Sequence, residues 1–191
     1  MTETTMTTRK DFGAVVPPRS AADIESVANG LRRALQLESV PFFPIVALYD
    51  LLHELVPGAS YEVLEKHEMG NNHGLTLMRN KLIRIREDVF DSACRGDGFG
   101  RFTMCHELGH LLLHQGGVTL QRANAKPPIY MSSEWQGDRF AGALLMPKNL
   151  VSPEAEPHEL IDEFGVSYSA ANVRLQQLSA QKTKGATKQA S

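Results

Sequence analysis

One stretch constrains this chain more than any other: Thr103-Met104-Cys105-His106-Glu107-Leu108-Gly109-His110-Leu111-Leu112-Leu113-His114. Within it, His106-Glu107-x-x-His110 has the spacing of a zinc hydrolase. Residues four apart on an α-helix lie on one face, one turn above the other. The spacing therefore predicts a helix that offers two imidazoles to a single metal ion. Glu107 follows the first of them, where its carboxylate can reach a water in the open position of a catalytic site without ligating the metal. An ordinary amphipathic helix with two histidines satisfies the same spacing, so the third ligand decides between the two.

A catalytic zinc site takes three protein ligands and keeps one position open. The longer pattern His-Glu-x-x-His-x-x-Gly-x-x-His needs Gly at 113 and His at 116. The chain has Leu113 and Gly116, which excludes it. His114 lies one further turn along the helix. Three ligands at i, i+4 and i+8 of a straight helix cannot converge on one small ion, so His114 is expected to support a ligand or the packing instead. The better candidate is downstream, where Ser132-Ser133-Glu134-Trp135-Gln136-Gly137-Asp138-Arg139-Phe140-Ala141-Gly142-Ala143-Leu144-Leu145-Met146-Pro147 reads as a second helix. The serines offer an N-cap, Phe140, Ala141, Leu144 and Leu145 form an apolar face, and Pro147 ends the run. Glu134 and Asp138 share a face. Glu134 can supply the third ligand while Asp138 accepts the outer N–H of a ligating His and fixes its tautomer. The alternative, with Asp138 as the ligand, stays open at this point. Gly109 and Gly137 would let the two backbones approach closely.

These runs together resemble the ImmA/IrrE family of zinc metallopeptidases. The resemblance rests on Arg101-Phe102-Thr103, the zinc motif, Leu113-His114, the run from Glu134 to Ala141, and Leu144-Leu145-Met146-Pro147. It continues to Phe164-Gly165-Val166-Ser167 and Arg174-Leu175, and reaches back to Ile24-Glu25 and Ile83-Arg84-Ile85. The resemblance implies that His106, His110 and Glu134 hold one Zn2+ per chain and that Glu107 is the catalytic carboxylate. It also implies a zincin-like metallopeptidase domain and a protein substrate, specifically a helix-turn-helix repressor cut to release phage, mobile-element or stress genes. Gly137 stands where the family more often has Ala, and Cys105 precedes the first ligand; neither departure removes a catalytic group. Some relatives carry an N-terminal helix-turn-helix domain, which this chain is expected to lack. Two other readings stay open. One is a non-proteolytic zinc protein that masks a regulator or works within a toxin–antitoxin pair. The other is a DNA-binding regulator that uses residues 159–178.

With 191 residues, 42% of them hydrophobic, the chain can bury one sizeable core. A single domain over residues 18–180 is expected between a disordered lead-in, 1–17, and a disordered tail, 181–191. The net charge of −2, with no basic block, gives no reason to expect direct nucleic-acid binding. Cys94 and Cys105 make no disulfide framework and suit a reducing compartment; Cys105 reads as a buried thiol. The Thr-rich start lacks the apolar core of a signal peptide, and no stretch is apolar enough to span a membrane. A cytoplasmic protein is expected, with its oligomeric state unspecified.

In chain order, Ser20 is expected to cap a helix through about residue 37, with Ile24, Val27, Ala28, Leu31 and Leu35 as its apolar stripe. Residues 45–55 read as a second helix with Leu48, Leu51, Leu52 and Leu55 inward. Residues 61–64, 75–78 and 82–86 change to the period of strands separated by Gly/Asn turns. The fold class is therefore α+β, with a small antiparallel sheet packed on the zinc-motif helix and flanking helices around it. An edge strand there can hold an extended peptide by main-chain hydrogen bonds. His67, Glu68 and His73 fit no compact site and read as loop residues. Residues 88–94 read as a short helix and 96–100 as a flexible Gly loop. The long connection at 115–131 has the length of a lid and carries Arg122 and Tyr130 as candidate oxyanion donors. Residues 159–164 and 169–178 read as two short helices around Gly165, an arrangement that mimics a helix-turn-helix but puts only Arg174 on its second helix.

Overall fold

A computed structural model describes residues 13–115 and 127–189. The first helix, α1 (Ala21–Ala34), starts from a capping box: Ser20 Oγ accepts the Asp23 N–H, and the Asp23 carboxylate accepts the Ser20 N–H. Ile24, Ala28 and Leu31 form its buried face. It stops before residue 37 because Gln36 takes left-handed backbone (φ +58°). Residues 45–55 form two short helices, α2 (Ile45–Tyr49) and α3 (Leu52–Leu55). Leu51 sits at the break between them and is 49% exposed, whereas Leu48 and Leu52 are buried as expected.

Three strands follow, β1 (Ser60–Leu64), β2 (Gly74–Leu77) and β3 (Leu82–Arg86), in the spatial order β1-β3-β2. The central strand buries Ile83 and Ile85 completely, as their alternation predicts. The sheet is mixed and not antiparallel throughout: β2 runs antiparallel to β3, but β1 runs parallel to it, with Ser60 opposite Leu82. Between β1 and β3 the chain reverses twice, once around α4 (Lys66–Met69) and once at the turn after β2, where Lys81 takes φ +50°. Two reversals restore the strand direction.

The second half is helical: α5 (Glu87–Cys94), α6 (Gly98–Leu113), α7 (Ser133–Leu145), α8 (Pro157–Phe164) and α9 (Tyr168–Gln189). The Gly run at 96–100 is no loop beyond Asp97, whose carboxylate accepts the N–H groups of Phe99 and Gly100 and starts α6 at Gly98. The backbone of α9 continues through 181–189, into the stretch whose composition suggested a disordered tail. α6 is the central element. It packs on α7, α5, α2 and the sheet, while α1 covers α7. No helix among the described residues is long and apolar enough to cross a membrane.

Three buried arginines close helix ends. Arg32 donates to the carbonyls of Leu144, Leu37 and Val40. Arg174 donates to the Met146 carbonyl and forms a two-pronged pair with Glu25. Arg101 serves the carbonyls of Phe43, Phe164 and Gly165, with its guanidinium 3.6 Å from the centre of the Phe42 ring. The last carbonyls of a helix have no partner within the helix, and a buried cation supplies one. α7 is thereby fixed against α1 and α9.

The lead-in is ordered sooner than its composition suggests. Val15 makes a β-bridge with Ser132, the Val16 N–H donates to the Met131 carbonyl, and the Val16 side chain is buried. Residues 1–12, and most of the connection expected at 115–131 with Arg122, lie outside the described residues.

Candidate metal centre

α6 brings His106 and His110 onto one face, with ring centroids 4.5 Å apart and Nε2 atoms 2.9 Å apart. Glu134 arrives from the first turn of α7, which Ser132 caps by accepting the Trp135 N–H. The Glu134 carboxylate oxygens lie 3.2 Å from His106 Nε2 and 3.4 Å from His110 Nε2. One ligand atom from each of the three residues lies within 4.8 Å of the others, so together they can hold a metal ion. Two imidazole nitrogens and one carboxylate oxygen are a donor set that suits zinc. Asp138 stands behind His106, with Oδ1 3.1 Å from Nδ1. A carboxylate only accepts, so Nδ1 carries a proton and Nε2 is the nitrogen left to take a cation, a proton or a metal, in the cluster. Among the described residues it is Glu134, and not Asp138, whose carboxylate is grouped with the two histidines.

The close approach of the helices depends on glycine. A Cβ at Gly137 would stand 2.9 Å from Cε1 of His106, and one at Gly109 would stand 2.9 Å from the Phe140 ring. At the other end of the cluster, a Cβ on Gly13 would meet Glu134 Oε1 at 2.8 Å, so the N-terminal segment lies directly on the third residue of the set.

The electrostatics describe a hole for positive charge. Burial works against the charged form of His106, yet the hydrogen bonds it donates to Asp138 and Glu134 and the charge of Glu107 carry its pKa up to about 10. Burial alone would raise the pKa of Glu134; the hydrogen bonds and charges of His106 and His110 hold it well below the usual carboxylate range. Without a metal, a proton fills the role of the cation.

Glu107 is 6% exposed and faces the sheet. Its Oε2 accepts from Thr76 Oγ1 at 2.7 Å, and Gly74 leaves room for its Cγ. β2, an outer strand of the sheet, therefore lies against the candidate base. His114 does not join the cluster. Its Nδ1 lies 3.4 Å from His110 Nδ1 and its Nε2 lies 3.2 Å from Gln136 Oε1. Burial, reinforced by neighbouring His110, pushes its pKa down to about 4.

Thr76 and Gln136 were not foreseen. Nothing in a short strand marks Thr76, because its partner is 31 positions away. Gln136 did leave a signal: it lies four before Phe140 and eight before Leu144, so it is a polar residue on the buried stripe of α7. The remaining candidates lie elsewhere. His67 is exposed beside Glu65, and His73 meets the Phe99 ring edge-on. Tyr130 is exposed, and its carbonyl accepts from Gln136 and from the Arg19 N–H. Cys105 is buried, and burial pushes its thiol up to about 12, which keeps it protonated. Arg174 is buried with Glu25, so the second helix of the imitation helix-turn-helix does not offer it to solvent. A groove lined by Phe99, Phe102, Trp135 and Val173 opens beside Asp138.

No curated protein matches the chain. A family model described as the IrrE N-terminal-like domain, Peptidase_M78, matches residues 71–176. The match covers more than half of the chain and spans β2, β3, the whole cluster, all of α8 and the start of α9. The chain belongs to the IrrE N-terminal-like domain family, Peptidase_M78, whose name describes a metallopeptidase-type function in keeping with this candidate metal centre.

Proposed function

We propose that this chain is a cytoplasmic zinc-dependent metalloendopeptidase that cuts a helix-turn-helix repressor and so releases the genes it silences. The observation that carries the reading is the convergence of His106, His110 and Glu134 with Glu107 buried alongside and aimed by Thr76. Binding alone has no use for a carboxylate held in this way. When bound, zinc supplies Lewis-acid polarisation of the scissile carbonyl and lowers the pKa of water. Asp138 fixes the tautomer of His106. Glu107 accepts the proton of the attacking water and returns it to the leaving amine. The outer edge of β2, beside Glu107, is suited to hold an extended substrate by main-chain hydrogen bonds, and the groove by Trp135 to take one of its apolar side chains.

The test is to mix zinc-loaded protein with the helix-turn-helix regulator encoded nearest to it and identify fragments by mass spectrometry. One defined cut by the wild type, and none by Glu107→Gln, is the expected result. A regulator that stays intact, yet is inactivated equally by the wild type and by Glu107→Gln, would replace hydrolysis with masking of a partner, the mode of a toxin–antitoxin pair.

A further inference from the structure

The contacts behind His110 form a chain whose protons can be placed one by one. It begins at two main-chain carbonyls, Pro17 O and Tyr130 O, which receive hydrogen bonds from Gln136 Nε2 at 2.9 Å and 2.8 Å. A carbonyl oxygen only accepts, so the amide NH2 of Gln136 must face this pair and its Oε1 must face the other way. Oε1 meets His114 Nε2 at 3.2 Å, and an amide oxygen also only accepts. His114 Nε2 therefore carries a proton. In a neutral imidazole the other nitrogen is then an acceptor. That nitrogen, His114 Nδ1, lies 3.4 Å from His110 Nδ1, which must donate. His110 is thus protonated on Nδ1, and its Nε2 keeps a lone pair directed toward His106 Nε2 and Glu134.

We infer that Gln136 and His114 are positioning residues that lock His110 in its metal-binding tautomer, and that the segment 13–17, through the Pro17 carbonyl, anchors the lock. The inference rests on the zinc reading of the cluster. The two histidines are then prepared by different means: His106 by the carboxylate of Asp138, and His110 by a neutral relay. A second carboxylate behind His110 would offset more of the cation's charge, which the relay avoids. The same N-terminal segment also holds the other side of the cluster. Ala14 exchanges hydrogen bonds with Ser133, its N–H donating to Oγ and its carbonyl accepting the Ser133 N–H, and Gly13 lies against Glu134. Arg19 Nη2 donates to the Leu113 carbonyl and ties the segment to the end of α6. The stretch whose composition reads as a lead-in is thereby part of the metal centre.

Two measurements on the full chain test this. The first is nitrogen-15 NMR of the histidine rings in the zinc-stripped and zinc-loaded wild type. His114 is expected with its proton on Nε2 and His110 with its proton on Nδ1; a proton on His114 Nδ1 would overturn the relay. The second is zinc affinity by chelator competition. Gln136→Leu and His114→Phe are each expected to weaken zinc binding about 10- to 100-fold, the usual range when the outer partner of a ligating histidine is lost. In Gln136→Leu the His114 ring is also expected to lose its single tautomer. If either variant fails to unfold cooperatively, the wild-type spectrum still decides. His110→Ala separates the two levels. If it loses zinc while Gln136→Leu and His114→Phe bind as the wild type does, the relay is wrong and the zinc site stands. If His110→Ala binds zinc undiminished, the zinc site itself is wrong.

Discussion

Glu107 and His106 are neighbours in sequence but face different structures, the one a strand and the other a second helix. Glu107→Gln keeps the shape and removes the base. Zinc content is expected to be unchanged while peptide hydrolysis falls by a factor on the order of 10² to 10⁴, measured side by side on one preparation. The titrating groups give a second prediction for zinc-stripped protein. The pKa of His106, about 10, stands above its ordinary 6.5, so its contribution to stability is complete below pH 6.5 and is lost as pH rises through about 10. The pKa of His114, about 4, stands below 6.5, so its contribution is complete above pH 6.5 and is lost as pH falls toward 4. Glu134, held low, adds to the loss below its ordinary 4.5. Thermal unfolding in chelator is therefore expected to peak near pH 6.5; a midpoint that climbs steadily from there to pH 10 would refute the assignment of His106. At this scale much was legible, because helical spacing alone brings His106 to His110 and Glu134 to Asp138. Thr76 was not, since a hydroxyl that reaches across the fold leaves no local pattern.

The elements are held by groups that the sequence does not advertise. Arg32 lies outside the apolar stripe expected of α1, yet it is 1% exposed and donates to carbonyls at the end of α7 and in the turn after α1. Arg32→Met would take the donor from the buried Leu144 carbonyl and from the part-buried carbonyls of Leu37 and Val40. A loss of about 2–3 kcal/mol is expected, read from the urea midpoint, because an orphaned buried group costs roughly 1–3 kcal/mol. The strands were legible from their two-residue alternation, but their relative direction was not. Direction depends on how many times the chain turns between them, and the turn around α4 looks like any other polar loop. Residues 13–17 were hidden for a related reason: main-chain hydrogen bonds hold them, and composition does not report main-chain partners.

For the whole molecule, the family match begins at residue 71, whereas the structure carries the site's support well before it. α1 packs on α7, and the segment 13–17 lies on Ser132 to Glu134. A metal that binds only the folded chain should stabilise all of this at once. At free zinc about 1,000-fold above its Kd, the gain is about 4 kcal/mol, so removing zinc with chelator is expected to lower the thermal midpoint by several degrees. The gain should vanish in His106→Ala, which scanning calorimetry can check.

The assignment of His106, His110 and Glu134 to one metal site, with Glu107 as a separate base, is decided by calorimetric titration of zinc into stripped protein. One zinc per chain is expected, with affinity at least about 100-fold weaker in His106→Ala, His110→Ala and Glu134→Ala, and unchanged binding in Glu107→Gln. A wild-type chain that takes up no zinc, or a Glu134→Ala variant that binds it as tightly as the wild type, would contradict it.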